Sequence, residues 1–350
     1  MARIGILTGG GDCPGLNAVI RGAVRAGLPD GHSFVGYRYG WAGVLGDDTL
    51  ELTLESTIGI LPRGGTILGT SRTNPYAGGA DGTATVRAGM ERHGVDALMP
   101  IGGDDTLGVA VALHADGIAV VGVPKTIDND LGGTDFTFGF QTAVQIVTDA
   151  IDRLHTTAES HDRVMVVEVM GRNAGWIATY AGMAGGADAI LVPERPFDID
   201  EVCRHLQRRH GRGRKFSIVV VAEGATPREG TLDSEDGEQV TRTAATDAFG
   251  HARLGGIGVV LELEIEQRTG YEARVTILGH VQRGGTPVAF DRVLATRFGV
   301  AAVRALAAGH FGAMVALRGT QVVELGMAES LAEPKLLDPE LYETAELFFG

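Results

Sequence analysis

The sequence offers little covalent reinforcement. Its 350 residues include only two cysteines, Cys13 and Cys203. Two are too few for a disulfide framework, and a metal cluster needs more ligands than they supply. Nor does any segment approach the roughly 18 uninterrupted apolar residues of a membrane-spanning helix. Positive charge is scarce: formal net charge is −14, which argues against nucleic acid or an anionic membrane surface as partner. The opening "MARIGILTGGGD" runs straight into a strand and has no signal-peptide pattern. A soluble, reduced, cytoplasmic protein is expected.

Glycine, by contrast, is abundant at 53 residues, and hydrophobic residues make up 44%. No glycine run repeats with a fixed period, so the glycines read as ligand loops rather than low complexity. The length suits two domains. Strands are expected at Arg3–Thr8, Ser33–Arg38, Asp96–Ile101, Ile118–Val123, Arg163–Met170, Ala189–Val192, Phe216–Ala222 and Ala273–Leu278. Helical spacing covers Leu16–Ala26, a start near Thr106, Gln141–Ala158, Asp200–His210 and Arg292–Ala308. Leu61–Pro75 reads as irregular, Thr226–Gln239 as a polar loop, and Gln321–Gly350 as an acidic, helical extension that serves packing or an oligomer. This alternation is the grammar of parallel sheets flanked by helices, and such sheets bind ligands at the carboxyl ends of their strands. Two doubly wound α/β domains facing each other across a cleft are the simplest architecture.

The loops after the strands carry the chemistry. "GGGDCPGLN" at Gly9–Asn17 matches neither nucleotide fingerprint: Pro14 stands where the last dinucleotide glycine belongs, and Leu16–Asn17 replace the Walker Lys and Ser/Thr. It reads as an anion-binding helix start or a tight turn. In "IGGDDTLG", Asp104 suits Mg²⁺ and Thr106 a phosphate, against a plain helix cap at Asp104. In "PKTIDNDLGG", Asp128 and Asp130 provide a general base and a helper for a metal, with Lys125 and Thr126 for a moving phosphoryl group; the alternative is an Asx-rich turn. Arg163, Arg172, Arg274 and Arg283, with His280, lie near the ends of strands, where arginine suits phosphate.

Together these segments resemble the phosphofructokinase family. The resemblance runs from Arg3 to about Ala308 through "GGGDCPGLNAVIRG", "GGTILGTSR", "IGGDDT", "PKTIDND", "VMGRNAGW", "VPE" and "LGHVQRGGTPVAFDR", in family order. It implies two Rossmann-like domains with the active site in the cleft between them. Residues 1–140 with 282–332 would bind the phosphoryl donor, and 141–281 with 333–350 the sugar phosphate. The implied reaction is phosphorylation of the 1-hydroxyl of fructose 6-phosphate, reversible and in glycolysis or gluconeogenesis. Asp128 would be the base, with Lys125, Thr126 and Arg172 around the transferring group. Gly11, Arg72, Asp105 and Thr106 would meet the donor, and Asp104 would bind Mg²⁺. Arg163, Met170, Gly171, Glu223, Arg274, His280 and Arg283 would hold the sugar phosphate. In bacterial members the arginines matching Arg163 and Arg274 come from a neighbouring subunit. The resemblance therefore implies a homo-oligomer, dimer or tetramer, with shared active sites.

One residue addresses the donor. ATP-using members resemble "GGDGS" where this chain has "GGDDT". Glycine leaves room for the rest of a nucleotide; Asp105 fills that room and adds a like charge, which is how a site rejects a near relative of its ligand. Lys125 restores positive charge beside the reacting phosphate, and the pair resembles the pyrophosphate-dependent branch. The family's effector positions are only partly kept. Arg21, Arg25 and Lys215 remain, but His155 replaces an arginine and Asp188 a metal-binding glutamate. The competing readings are an ATP-dependent phosphofructokinase, a wider specificity that includes sedoheptulose 7-phosphate, a non-catalytic sugar-phosphate-binding regulatory subunit, and a nicotinamide oxidoreductase. Retention of Asp104, Asp128, Asp130 and Arg172 weighs against the subunit, and the failed dinucleotide fingerprint against the oxidoreductase.

Overall fold

The structure, a computed structural model, describes residues 1–232, 240–246, 249 and 252–349. In chain order the elements are β1 (Arg3–Thr8), α1 (Leu16–Gly27), β2 (Ser33–Tyr37), α2 (Trp41–Gly46), β3 (Thr49–Leu52), α3 (Gly82–Arg92), β4 (Ala97–Gly102), α4 (Asp104–Ala115), β5 (Val123–Pro124) and α5 (Phe140–His161). There follow β6 (Val164–Val169), α6 (Trp176–Ala184), β7 (Ala189–Leu191), α7 (Ile199–Gly211), β8 (Ser217–Ala222), β9 (Thr241–Thr246), β10 (Ala252–Leu254), α8 (Ile257–Thr269) and β11 (Ala273–Ile277). The chain ends with α9 (Ala289–Ala308), β12 (Ala313–Arg318), β13 (Gln321–Gly326), α10 (Met327–Ser330) and α11 (Pro339–Glu346). The described residues divide into two compact units. The first holds Met1–Thr142, Phe249 and Arg283–Lys335; the second holds the described parts of Ala143–Thr246, Ala252–Gln282 and Leu336–Gly350.

In the first unit a five-stranded sheet runs β3-β2-β1-β4-β5. All neighbours are parallel except β2 and β3. The sequence "RIGILT" is apolar on both faces after its first residue, as suits a strand covered on both sides, and β1 is buried from Ile4 onward. Leu7, Val35, Tyr37 and Leu98 pack with Trp41 of α2 and Leu107 of α4 in one core. The centre of the sheet thus places the ends of β1, β4 and β5 side by side, with Gly9 N donating to Ile101 O (3.0 Å) and Lys125 N to Gly102 O (2.9 Å).

In the second unit the parallel sheet runs β11-β6-β8-β7. Its central strands "VMVVEV" and "SIVVVA" are buried throughout. The one acid among them, Glu168, is stabilised by accepting the N–H groups of Gly256 (3.1 Å) and Gly258 (2.8 Å) at the start of α8. Val166, Val219 and Val221 form the core with Leu206 of α7 and Leu261 of α8.

Three expectations shift. The strand expected over Ile118–Val123 is reduced to β5 and single bridges at Val120 and Gly122. The helix expected near Thr106 begins at Asp104, so Asp104 and Asp105 both sit in its first turn and the cap is Gly103. Carboxylates are favoured there by the unpaired N–H groups of a helix start. The C-terminal stretch, expected as helical from Gln321, opens instead with β13, which pairs antiparallel with β12. Of the loop expected at 226–239, residues 233–239 lie outside the described residues.

Candidate active site

The sequence-predicted residues fall into two groups, one in each unit. In the first, the loop after β1 meets the loops after β4 and β5. Thr106 is buried and packs over Gly9 and Gly102. Lys125 is 3% exposed, and its Nζ donates to the Gly11 carbonyl at 2.6 Å. Burial lowers the pKa of this ammonium, with the Arg283 guanidinium adding to the effect against the opposing charges of Asp12 and Asp128. The glycine-rich stretch expected to bring Arg72 closes on the same loop: Gly10 N donates to Ser71 O (3.1 Å) and Thr70 Oγ1 to Gly10 O (2.6 Å).

The "TIDND" turn is held from behind. Asn129 has a φ of 55° and is fully buried. Its Oδ1 accepts from Thr137 N (3.1 Å), and Thr137 Oγ1 donates to Thr126 O (2.8 Å). Left-handed backbone is tolerated by asparagine, and here the turn re-aims the residues on either side. Thr126 Oγ1 accepts from Asp128 N at 3.0 Å. The acids crowd: burial, followed by the charges of Asp128 and Asp104, pushes the Asp130 carboxyl up to about 7. Such an excess of negative charge suits a divalent cation. Among the described residues, no three His, Cys, Asp or Glu side chains form a metal cage; Mg²⁺ needs none, since it is commonly held by one or two carboxylates and substrate phosphates. Asp104, on the exposed first turn of α4, fits that role with Asp128 and Asp130 close by.

In the second unit the ends of β6, β8 and β11 converge. Glu223 N donates to Val169 O (2.8 Å) and Gly224 N to Gly171 O (3.1 Å). A side chain at position 224 would collide with the Arg172 carbonyl oxygen, so glycine permits this approach. The short helical turn Gly279–Arg283 joins through Gln282, whose Oε1 accepts from Met170 N (3.2 Å) and whose Nε2 donates to Gly279 O (3.1 Å). Met170, Gly171, Arg172, Glu223 and the turn carrying His280 are therefore brought to one edge of the sheet.

Arg163 and Arg274 are not part of that edge. They stand at the opposite ends of β6 and β11 and share Glu272, at 2.8 Å and 2.5 Å, while Arg274 also reaches Glu266 at 3.0 Å. Arg283 is separated from His280 in another way: its guanidinium lies on Gly11, where a Cβ would be 2.5 Å from Nη1. It touches the loop expected to hold the donor.

Three contributors escaped the sequence reading. Gln282 sits between two noticed residues, His280 and Arg283, and its burial was the missing signal. Glu194, noticed only as part of "VPE", accepts from Gly175 N with both oxygens (3.1 Å) and from Leu337 N (2.9 Å). Asp291 is fully buried and accepts from Thr142 N (2.7 Å) and Thr142 Oγ1 (2.5 Å) through Oδ2. At the family's effector positions, Asp188 is buried and already engaged by Arg209 (2.9 Å) and by Ile218 N (2.9 Å). His155 Nε2 is engaged with Gly185 O (2.6 Å).

The comparisons with known proteins agree with this arrangement. The family model described as phosphofructokinase matches residues 3–306. The chain is 60% identical to the pyrophosphate–fructose 6-phosphate 1-phosphotransferase of Amycolatopsis methanolica, over 99% of this chain and 100% of that protein. It is 53% identical to the ATP-dependent 6-phosphofructokinase of Corynebacterium efficiens, over 99% of each. Among solved structures, phosphofructokinase from Saccharomyces cerevisiae superposes with a TM-score of 0.80 at 31% identity, over 100% of this chain and 47% of that one. Full-length identity at this level, with the motifs in place on their strand ends, leads to one conclusion: the chain belongs to the phosphofructokinase family and is a phosphotransferase.

Proposed function

We propose that this enzyme transfers a phosphoryl group from pyrophosphate to the 1-hydroxyl of D-fructose 6-phosphate, giving fructose 1,6-bisphosphate and orthophosphate. Relatives named for pyrophosphate and for ATP both align over nearly the whole chain, so overall similarity does not separate the donors. The observation that carries the choice is local. Asp105 stands beside Asp104 in the first turn of α4, and the adjoining Gly9–Gly11 loop is met by the buried Lys125 and by Arg283. Two carboxylates at the helix start disfavour the longer polyphosphate chain of a nucleotide. Two cations beside the glycine loop suit a compact tetraanion.

The residues then divide the work. Asp128 accepts the proton of the sugar hydroxyl as its oxygen bonds to phosphorus, and orthophosphate departs as the pyrophosphate P–O–P bridge breaks. Thr126, Lys125 and Arg172 stabilise the charge on the moving group. Phosphoryl transfer depends mainly on such positioning and charge compensation. Mg²⁺, held by Asp104 and donor oxygens, would neutralise donor charge. Gly11, Arg72 and Thr106 seat the donor; Met170, Gly171, Glu223 and His280 seat the sugar phosphate. The reaction exchanges the phosphoanhydride of pyrophosphate for a phosphate monoester, and we take it to be reversible, as a cytoplasmic step serving glycolysis and gluconeogenesis would be.

The test is the initial rate with fructose 6-phosphate and Mg²⁺, comparing pyrophosphate with ATP on one sample. A rate with pyrophosphate alone supports the reading. A rate with ATP alone keeps the family and overturns the donor.

A further inference from the structure

Residues 331–335, "LAEPK", follow α10 and lie beyond the stretch 3–306 matched by the family model. Pro334 fixes its own φ and pushes Glu333 away from helical backbone, so this stretch does not prolong α10. It runs instead as a strap along the loop that follows the Asp128–Asp130 turn. Lys335 N donates to Asp130 O at 2.8 Å. Two glycines permit the approach. A Cβ at Gly132 would lie 2.4 Å from Ser330 O, and one at Gly133, where φ is 77°, would lie 2.7 Å from Ser330 Oγ.

The Lys335 side chain returns over the same loop. Its half-buried ammonium donates to Thr134 O (3.1 Å) and to Asp135 O, and lies 5.7 Å from the centre of the Phe136 ring. Carbonyl oxygens of neighbouring residues repel each other when they converge. An ammonium, with three donors and no acceptor, offsets that repulsion. The Asp135 carbonyl also accepts from Asn129 Nδ2 at 3.5 Å, and Asn129 is the buried, left-handed centre of the turn. Lys335 therefore reaches the turn twice: directly at Asp130 O, and through the carbonyl that it shares with Asn129.

The far side of the loop is anchored on β12 and the residue that follows it. Leu317 N donates to Thr134 Oγ1 (3.0 Å), Asp135 N to Leu317 O (2.8 Å) and Gly319 N to Asp135 Oδ2 (2.6 Å). With residues 134 and 135 fixed there, Lys335 ties the turn to a strand rather than to another mobile loop.

We propose that Lys335 is a positioning residue for phosphoryl transfer, holding the Asp128–Asp130 turn in the geometry from which Asp128 takes the sugar proton. This role rests on the one proposed above for Asp128. The contacts named here involve no residue assigned to the donor or to the sugar phosphate, so Lys335 acts on turnover rather than on binding. A displacement of about 1 Å at a reacting group costs about 10²-fold in rate.

The experiment compares Lys335→Met, Lys335→Arg and Asp128→Ala with wild type as full chains. Each is assayed with fructose 6-phosphate, Mg²⁺ and whichever of pyrophosphate and ATP the wild type uses. Lys335→Met keeps the stem and the backbone N–H but removes the ammonium. Its kcat should fall about tenfold to a hundredfold, with KM for both substrates within about threefold. Lys335→Arg, which restores a cationic donor, should recover most of the loss. Hydrogen–deuterium exchange, read on the same samples without substrate, should quicken in Lys335→Met over residues 126–137 and stay unchanged over β1 and α1. An unchanged kcat in Lys335→Met would overturn the role. So would equal losses in the Met and Arg variants, a KM rise that accounts for the lost rate, or exchange that quickens throughout the chain. Full activity in Asp128→Ala would overturn the proposed base instead; the exchange result would then still decide whether Lys335 clamps the turn.

Discussion

Replacing Asp105 by glycine removes one carboxylate from the first turn of α4 and leaves Asp104 for the metal. The expected outcome is a fall of about tenfold or more in kcat/KM with pyrophosphate and measurable turnover with ATP. Unchanged donor preference would remove Asp105 from the account. Asp128→Ala tests a different quantity. Loss of a general base costs about 10²–10⁴ in kcat, while fructose 6-phosphate affinity, measured directly by titration, should stay within about threefold. Equal losses in both would make Asp128 a structural residue of its turn; the backbone Asp128 N–Thr126 Oγ1 bond survives the substitution, so the test isolates the carboxylate. Gly11→Ala carries the third residue-scale expectation. A methyl there meets Arg283 at 2.5 Å and must push the guanidinium off the loop. KM for pyrophosphate should rise more than KM for fructose 6-phosphate; the reverse would return Arg283 to the sugar phosphate alone.

At the scale of elements, the first turn of α5 is tied to the first turn of α9 by Asp291, which takes both the N–H and the hydroxyl of Thr142. Burial outweighs these bonds and pushes the carboxyl up to about 6 from its usual 3.8. A raised carboxyl stabilises the fold fully below the unfolded value and loses that contribution as pH rises through about 6. The swing is on the order of 3 kcal/mol. Asn at this position keeps a carbonyl acceptor and does not titrate. Wild type should therefore lose stability relative to Asp291→Asn between about pH 4 and pH 7 in urea melts; parallel curves would show that Asp291 does not titrate in this range. Asp291 also shows where sequence reading stopped. "VAFDR" was legible as family pattern, but nothing in the spacing says that its acid faces Thr142 from 149 residues away. The junctions after β1, β4, β6, β8 and β11 were legible because an apolar run, a glycine or acid, and helical spacing follow one another locally. The contacts of Gln282, Glu194 and Arg283 were not, because each is fixed by tertiary burial rather than by its neighbours in sequence. The β12–β13 hairpin was missed for a related reason: "QVVELG" is half-exposed and short, and only its pairing with β12 decides its state.

At the scale of the whole molecule, Arg163 and Arg274 set the strongest constraint. Both are expected to bind the sugar phosphate, yet both lie about a strand length from Met170, Glu223 and His280, neutralised by Glu272 and Glu266. A strand of this size spans roughly 20 Å, beyond the reach of an arginine side chain. Either these arginines are structural, or they serve the site of a neighbouring copy. Complementation separates the two. Asp128→Ala and Arg163→Ala/Arg274→Ala chains, each inactive alone, are unfolded together and refolded as a mixture. If sites are shared between copies, a mixed pair has one site carrying both defects and one carrying neither, so activity returns to roughly a quarter of wild type for random pairing. If each chain completes its own site, every site keeps a defect and the mixture stays inactive. Recovery would establish that the arginines act across a subunit boundary and that the enzyme is an obligate oligomer in catalysis. An inactive mixture, from chains that each refold to the wild-type oligomeric size, would assign Arg163 and Arg274 to the stability of the β6–β11 edge alone.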